Sequence, residues 1–366
     1  MTFSATDHAA MARALELAGR GLLTTTPNPR VGCVIIRDGV SVGEGWHRRA
    51  GEAHAEIEAL RLAGDRARGA TAFVTLEPCA HHGRTPPCAD ALIAAGISRV
   101  VVAMEDPNPL VAGRGLERLR LAGVAAQCGL MSTEALELNI GFVSRMTRGR
   151  PWIRLKAAAT LDGKTALNNG TSQWITGAAA RRDGHAWRAR ACAVLTGIGT
   201  VLADDPQLNV REVACERQPW RVLIDARLEV PTSARILSGG HCLVATASDD
   251  RSRIESLQTL GIEVVSLPNP AGKVDLQLLM HELGRRSFNE IHVEAGVKLN
   301  GSLLRERCVD ELLLYLAPML VGDNAQGLFK LAAADALDQA TRLDIRDIRQ
   351  LGKDLRIVAR PITQGL

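Results

Sequence analysis

Apolar residues in the first half of the chain alternate between helical and strand-like spacing over short intervals. Helical spacing predicts a helix over residues 9–17, with Asp7 as its N-cap. Two apolar runs at 31–36 and 40–43 flank the pair Asp38-Gly39, which is typical of a tight hairpin turn. Further helices are predicted at 54–62, 88–95 and 115–121, and further strands at 72–76, 99–104 and near 124. This alternation predicts a three-layer α/β domain.

A charged stretch with glycine and proline interrupts the pattern between Thr147 and Pro151. We therefore expect a domain junction near residue 148 and two domains, 1–147 and 148–366. The second half alternates again, with buried strands predicted at 152–156, 193–196, 221–224, 242–245, 263–266, 290–293 and 311–316, and helices at 181–190 and 276–283. No internal repeat relates the halves, so they are predicted to be two different α/β domains.

Composition excludes several classes of protein. The 366 residues are 46% hydrophobic and 23% charged, as in ordinary globular proteins. The formal net charge is only +4 and aromatic residues make up 3%, so a nucleic acid is an unfavoured partner. No apolar run approaches the roughly 20 residues of a membrane helix, and the N-terminus lacks a signal-peptide pattern. We expect a cytoplasmic protein without a membrane partner; its oligomeric state stays open, a homo-oligomer included.

Three residues of the first half combine into a predicted zinc site. His54 opens a helix, and Cys79 and Cys88 each follow a proline. Three protein ligands are typical of catalytic zinc, which keeps one position for water, whereas structural zinc normally takes four. Glu56 follows His54 by two residues and is the predicted catalytic carboxylate, which moves a proton from the attacking water to leaving ammonia. The pattern matches H-x-E followed by P-C, as in hydrolytic nucleobase deaminases.

The cysteine spacing departs from the simplest form of that signature. Eight residues, 80–87, separate Cys79 from Cys88, where simple cytidine deaminases have two. One alternative is a closed four-ligand site that recruits His81 or His82; another is a pair of unrelated loop cysteines. A closed site is typical of a zinc-stabilised binding module, and a nucleoside or nucleic-acid deaminase with an accessory domain is a rival enzyme.

The second half contains turn and glycine motifs after strands. Asp162-Gly163 breaks a strand, and Thr196-Gly-Ile-Gly follows another. Gly296 again follows a strand and precedes a helix start, a place where backbone N–H groups bind phosphate. The arginines of the helix at 181–190 offer cations for a phosphate, or form a solvated face. None of these is a G-x-G-x-x-G dinucleotide fingerprint.

Taken in order, the motifs of both halves resemble the RibD family of bifunctional riboflavin biosynthesis proteins. The first half matches through Thr26-Pro-Asn-Pro-Arg-Val-Gly32, Gly43-Glu-Gly-Trp-His47, Ala50-Gly-Glu-Ala-His-Ala-Glu56, Thr75-Leu-Glu-Pro-Cys79 continuing to Cys88, and Asp106-Pro-Asn-Pro109. The resemblance implies a cytidine-deaminase-like domain followed by a dihydrofolate-reductase-like domain. It further implies zinc-dependent deamination of a phosphoribosylated diaminopyrimidinone, then NADPH-dependent reduction of its ribosyl group to ribityl.

The resemblance also implies roles for individual residues. In the first half, Asn28, His47 and Asn108 contact the pyrimidine substrate. In the second half, the residues implied for NADPH are Ala158, Trp174, Thr200, Asp204, Gly296, Val297, Lys298, Leu299, Asn300, Gly301 and Ser302. Those implied for the phosphorylated substrate are Lys156, Ser172, Arg188, Leu208, Arg211 and Glu294. Arg188 and Arg211 suit a phosphate because a guanidinium binds it through two hydrogen bonds.

Overall fold

The computed structural model describes residues 3–80, 86–109 and 111–362. The chain divides into two compact units, Met1–Gly149 and Arg150–Leu366. This division lies two residues beyond the expected junction, because the last helix of the first unit continues to Arg148 and ends on Gly149 in the left-handed conformation. Within the described ranges, no helix is long and apolar enough to cross a bilayer.

The first unit is a five-stranded sheet with helices on both faces. Its elements are α1 (Ala5–Gly19), β1 (Gly32–Arg37), β2 (Val40–Trp46), α2 (Ala55–Ala63), β3 (Thr71–Val74), α3 (Cys88–Ala94), β4 (Arg99–Val102), α4 (Arg114–Leu121), β5 (Ala125–Cys128), α5 (Ser132–Leu138) and α6 (Ile140–Arg148). The strand order is β2-β1-β3-β4-β5, antiparallel around β1 and parallel from β3 onward. The predicted hairpin turn is present, with Asp38 and Gly39 at positive φ.

Successive residues of strand β1 pack into two separate hydrophobic cores, one on each face of the sheet. Cys33 and Ile35 pack with α2, α3 and α4, whereas Val34 packs with α1 and α5. Glycines bring α2 unusually close to the sheet: a Cβ on Gly45 would lie only 2.2 Å from the carbonyl oxygen of Ala55. This contact fixes the first turn of α2, where the predicted metal and catalytic residues lie.

The expectation that Asp7 caps the first helix is wrong. Helix α1 begins at Ala5, and the Ser4 hydroxyl accepts a hydrogen bond from the Asp7 backbone N–H at 3.1 Å. The Asp7 carboxylate accepts one from the Ser4 backbone N–H in return, which is a capping box. Asp7 also pairs with Arg99 at 2.8 Å, and this hydrogen bond is the main reason that its pKa falls to about 2.

The second unit has a nine-stranded sheet whose strand order is β11-β10-β9-β8-β12-β6-β13-β16-β15. Its elements are β6 (Trp152–Thr160), β7 (Lys164–Ala166), α7 (Ala178–Arg190), β8 (Ala193–Gly197), α8 (Ile198–Asp204), β9 (Trp220–Ile224), β10 (Cys242–Thr246), α9 (Arg251–Thr259), β11 (Glu263–Ser266), α10 (Leu276–Arg285), β12 (Glu290–Val293), α11 (Val297–Arg305), β13 (Glu311–Ala317), β14 (Gln326–Gly327), β15 (Leu343–Leu351) and β16 (Asp354–Pro361). Strands β11 to β13 in this order pair in parallel, and β13, β16 and β15 pair antiparallel. The parallel strands end at one edge of the sheet, where such folds bind ligands.

Two parts of this sheet differ from the expectation. Strand β11 is an edge strand and only half-buried, since it pairs on one side alone within the described residues. The hairpin of β15 and β16 was not anticipated from the sequence, because the residues of β15 are mostly exposed and mix charged with apolar side chains. Helices α5 and α6 in the first unit were also missed.

Candidate active sites

The fold of the first unit brings the three predicted zinc ligands together. His54 is the N-cap residue of α2, Cys88 is the first residue of α3, and Cys79 lies in the segment after β3. Their candidate ligand atoms all lie within 4.8 Å of one another. One imidazole nitrogen and two thiol sulfurs are the donor set of a three-ligand catalytic zinc, so these residues fit that metal. His81 and His82, the alternative fourth ligands, lie outside the described residues.

Glu56 lies beside this trio in the first turn of α2 and is 3% exposed. Because α2 starts at Ala55, His54 and Glu56 both lie at the open end of the helix and can serve one centre. Burial raises the pKa of Glu56 to about 7, against an opposing effect of His54. A carboxyl group with a pKa near neutrality can both accept and donate a proton.

The two thiols of the trio interact directly. A hydrogen bond from Cys88 and the neighbouring His54 lower the pKa of Cys79 to about 4, and the Cys88 backbone N–H lies 3.3 Å from the Cys79 sulfur. The Cys79 thiolate in turn raises the pKa of Cys88. Only one of the two sulfurs is therefore ionised on its own, and both become thiolates only with a cation bound between them.

Asn28 and His47 form a second polar pair in this unit. The His47 Nδ1 lies 3.1 Å from the Ala53 carbonyl oxygen, to which it donates, so its Nε2 accepts from the Asn28 amide at 3.1 Å. Burial lowers the pKa of His47, which keeps the ring neutral. The His47 and His54 rings lie 5.4 Å apart, so the structure places the predicted pyrimidine contact next to the predicted metal ligand.

Sequence reasoning missed Glu77, which organises the segment that contains Asn108. The buried Glu77 carboxylate accepts four backbone hydrogen bonds, from Asp106 at 3.0 Å, Gly113 at 2.9 Å, Gly115 at 2.8 Å and Leu116 at 3.1 Å. Its position in the Leu-Glu-Pro-Cys stretch, two residues before Cys79, is the one sequence signal that points to it. Glu77 thus ties the 106–116 segment to the strand end beside the zinc trio.

In the second unit, Glu294 is the centre of a charged cluster just beyond β12. The Arg188 guanidinium contacts both of its carboxylate oxygens, and the Lys156 Nζ lies 3.7 Å from Oε2. Buried His292 lies 3.4 Å from Oε1. Burial alone would raise the pKa of Glu294, but Arg188 and Lys156 outweigh it and hold the pKa well below its usual range. Three predicted substrate residues therefore form one contact unit.

Strand β6 aligns the next two predicted residues on one face. Lys156 and Ala158 are two positions apart in β6, so their side chains lie on the same face of the sheet. Ala158 packs with Tyr315 of the neighbouring strand β13. The Lys156 Nζ lies 6.0 Å from the centre of the Tyr315 ring. Ser172 and Trp174 line a cavity of about 200 Å³ beyond the end of β6, with Thr160 and Met319. Trp174 is 64% exposed, and the Arg181 guanidinium lies 4.6 Å from the centre of its ring.

The helix starts predicted for the cofactor phosphates lie side by side. Helices α8 and α11 begin at the carboxyl ends of β8 and β12. A Cβ on Gly296 would lie 3.8 Å from the Thr200 hydroxyl, and one on Gly197 would lie 2.9 Å from Leu299. Asn300 is buried, and its Oδ1 has no hydrogen-bond partner in the described structure. Two adjacent helix starts fit a dinucleotide diphosphate, because their backbone N–H groups donate to anions. The Asn300 oxygen is an acceptor, so it fits a donor such as a ribose hydroxyl of the same cofactor.

Two of the remaining predicted residues, Gly301 and Leu208, have structural roles in the described fold, and the others are at least partly exposed. A Cβ on Gly301 would lie 2.1 Å from the Lys330 carbonyl oxygen, so close packing alone requires glycine there. Leu208 is buried in a core with Val201, which leaves its backbone as the possible contact. Asp204, Lys298 and Arg211 are exposed, and Val297 and Ser302 are half-buried.

Comparisons with known proteins agree with this two-unit arrangement. The family described as the RibD C-terminal domain matches residues 151–357, and the family of cytidine and deoxycytidylate deaminase zinc-binding regions matches residues 4–104. The riboflavin biosynthesis protein RibD of Escherichia coli (strain K12) is 51% identical, with 95% of this chain and 98% of that protein covered. That of Haemophilus influenzae is 44% identical, with 99% of each covered.

Solved structures agree over the same length. Form 1 of Acinetobacter baumannii RibD has a TM-score of 0.91 at 43% identity and covers 98% of this chain and 99% of that chain. A diaminohydroxyphosphoribosylaminopyrimidine deaminase/5-amino-6-(5-phosphoribosylamino)uracil reductase from Thermotoga maritima has a TM-score of 0.86 at 32% identity, and covers 97% and 99%.

Proposed function

This chain belongs to the RibD family of riboflavin biosynthesis proteins, and from that premise we propose how its residues divide two reactions. It is a bifunctional enzyme, a hydrolytic deaminase and a reductase, whose cofactors are zinc and NADPH. The predicted fold class, cytidine-deaminase-like followed by dihydrofolate-reductase-like, is confirmed. The deaminase is assigned to the unit that ends at Gly149, and the reductase to the unit that begins at Arg150.

The first reaction is deamination of 2,5-diamino-6-(5-phosphoribosylamino)pyrimidin-4-one at C2. When bound by His54, Cys79 and Cys88, zinc lowers the pKa of water toward neutrality. Glu56 accepts the proton of the attacking water on its carboxylate and passes it to the leaving amine. Its pKa of about 7 suits both steps. The Asn28 amide and the neutral His47 orient the pyrimidine, and Asn108, on the segment that Glu77 holds, is a further substrate contact.

The second reaction converts the ribosyl group of the deaminated product to ribityl. NADPH supplies the hydride when bound. Trp174, Thr200 and the helix starts at Gly197 and Gly296 hold the cofactor. Arg188 and Lys156 keep Glu294 ionised, so that the carboxylate and the Lys156 ammonium together orient the reacting sugar. When the C1′–O4′ bond of the sugar breaks, the Lys156 Nζ gives a proton to O4′, and C1′ is then the atom that accepts the hydride.

We further propose that the protein works in the cytoplasm, where NADPH is available. No disulfide joins any of its eight cysteines, all of which lie in the described residues, as expected for a reducing compartment.

Substrate phosphate binds at Arg211, beside the Arg188–Glu294 pair.

One observation supports the proposal more than any other: the His54, Cys79 and Cys88 ligand atoms lie within 4.8 Å of one another, with Glu56 buried beside them. The test is incubation of the full chain with the diaminopyrimidinone substrate, with and without NADPH, followed by mass analysis. Without NADPH we expect a deaminated ribosyl product and ammonia. With NADPH we expect a ribityl product two hydrogens heavier. An unchanged substrate in both arms contradicts the proposal.

A further inference from the structure

A polar cavity of about 260 Å³ lies in the second unit, apart from the residues assigned above to NADPH. It is at the amino ends of β9 and β10, whereas the cofactor residues are at the carboxyl ends of β8 and β12. Its lining includes Arg221, Gln218, Asn209, Ser238 and His241. None of these side chains has a role in either reaction as proposed.

Arg221 is a buried cation without a carboxylate partner in the described structure. It is 8% exposed, and its guanidinium donates to the Ser238 carbonyl oxygen alone. The other buried arginines described in this unit, Arg154 and Arg356, each contact a carboxylate. Burial without such a partner lowers the pKa of Arg221. A buried guanidinium is costly unless an anion compensates it, so this position calls for an anionic ligand.

The backbone beside Arg221 supplies further donors. Gly239 and Gly240 line the same cavity at positive φ, and their N–H groups donate to no acceptor within the described residues. The cavity is smaller than a typical site for a drug-sized ligand, at about 300 Å³ or more, but much larger than the roughly 30 Å³ of one water. A guanidinium with several N–H donors in such a space matches a tetrahedral phosphate with a small organic group.

We propose that this cavity binds a small phosphate-bearing molecule through Arg221. Inorganic phosphate and a sugar phosphate share the recognised chemistry. The site lies behind the segment that supports the reductase site, because the Asn209 carbonyl oxygen accepts a hydrogen bond from Arg188 at 2.9 Å. The Gln218 side chain also bonds both the N–H and the carbonyl of Val210, at 2.8 and 3.0 Å. An anion here therefore steadies the 207–211 segment, a consequence that rests on the proposed reductase function, whereas the binding site itself does not.

The test is isothermal titration calorimetry of the full chain with inorganic phosphate and, separately, with ribose 5-phosphate. Arg221→Met keeps the apolar stem and removes the charge. Arg227→Met is the matched control, since Arg227 is exposed and pairs with Glu229. We expect Arg221→Met to weaken binding at least about tenfold, the scale of charge-assisted hydrogen bonds, and Arg227→Met to leave it unchanged. Arg211→Ala, which alters the proposed substrate-phosphate contact, should keep the Arg221-dependent binding.

Arg221-dependent binding of either ligand supports the site. Binding of ribose 5-phosphate alone identifies a phosphomonoester as the ligand, and binding of inorganic phosphate alone identifies free phosphate. If neither ligand binds in an Arg221-dependent way, the proposal is overturned, while both enzyme activities measured without phosphate still stand. Measurements of the melting temperature distinguish a structural role of Arg221 from a role in phosphate binding. In phosphate-free buffer Arg221→Met should melt no lower than the unaltered protein, and only the latter should gain stability from phosphate. A lower melting temperature with an equal gain from phosphate in both proteins also overturns the proposal.

Discussion

The Arg188 guanidinium contacts both carboxylate oxygens of Glu294, with its Nη2 2.9 Å from Oε2. The two residues are separated by 106 positions and lie on different elements, α7 and the end of β12. The resemblance implies that each contacts the substrate on its own. In the structure they form one largely enclosed pair, in which Arg188 holds the pKa of Glu294 low and so keeps it ionised.

We therefore expect the effects of changing Arg188 and Glu294 to be non-additive. Arg188→Ala leaves the Glu294 carboxylate without its main partner, so Glu294 is no longer held ionised and in place, and kcat/KM for reduction should fall by about 100-fold or more. The double variant with Glu294→Gln should fall by clearly less than the product of the two single effects, because the uncompensated charge is gone. Steady-state reduction of the deaminated substrate measures this double-mutant cycle.

The control for this cycle is Arg182→Ala, an exposed arginine of the same helix α7. Its reductase kinetics should match those of the unaltered protein. If the single effects of Arg188 and Glu294 multiply in the double variant, the two side chains act independently and the paired interpretation is wrong.

The same pair predicts a change in pH dependence. Because Arg188 and Lys156 hold the pKa of Glu294 well below its usual range, Glu294 stays ionised as pH falls toward the ordinary glutamate pKa. In Arg188→Ala, burial is no longer outweighed and the pKa rises. The ionised fraction then falls as pH decreases, so kcat/KM for reduction should gain an acid limb that the unaltered protein lacks between about pH 5 and 8. Adding Glu294→Gln should remove that limb; a limb that persists must belong to another group.

Glu77→Gln tests whether this residue positions the segment around Asn108. The substitution replaces one carboxylate oxygen by an NH₂ group that faces backbone N–H donors, so two of the four hydrogen bonds are lost. We expect KM for deamination to rise by about tenfold, with kcat less affected and zinc content unchanged. Exposed Glu105 lies on the same segment, and Glu105→Gln is the control. An unchanged KM shows that the segment does not need Glu77.

Zinc retention should depend on Cys88 and not on other cysteines. Cys88→Ser removes a soft anionic ligand, so zinc content and deaminase activity should both be lost, while reduction of the deaminated substrate continues. Half-buried Cys128 lies outside the trio, and Cys128→Ser should keep one zinc per chain. Elemental analysis of both variants decides the matter; a full equivalent of zinc in Cys88→Ser removes it from the ligand set.

What the sequence predicts well is local. The hairpin around Asp38-Gly39 follows from turn chemistry, and His54 and Glu56 share one helix start because the motif itself encodes their spacing. Even there a helix end was misplaced, since Ser4 and Asp7 share the cap and the pattern alone does not say which of them starts the helix.

The sequence does not show contacts between residues that are far apart along the chain, or strands whose side chains are mostly exposed. The role of Glu77 rests on N–H groups 29 to 39 positions away, which no side-chain pattern records. Strand β15 lacks the buried alternation that identifies a strand, because its side chains are mostly exposed. The sequence indicates a phosphate ligand at Arg188 because a guanidinium binds a phosphate through two hydrogen bonds, but it does not show the contact with Glu294, which lies 106 positions away.

The central claim is that two separate sites on one chain perform two reactions, and Glu56→Gln tests it most directly. Glutamine keeps the size of Glu56 but cannot accept the proton of water, so the rate of ammonia release should fall by about 100-fold or more, with zinc still bound. The proposal assigns hydride transfer to residues beyond 150, so the same variant should reduce already deaminated substrate with NADPH at the unaltered rate. Both half-reactions are measured separately on one preparation. Loss of reduction together with deamination, in a folded variant that retains zinc, would contradict the account.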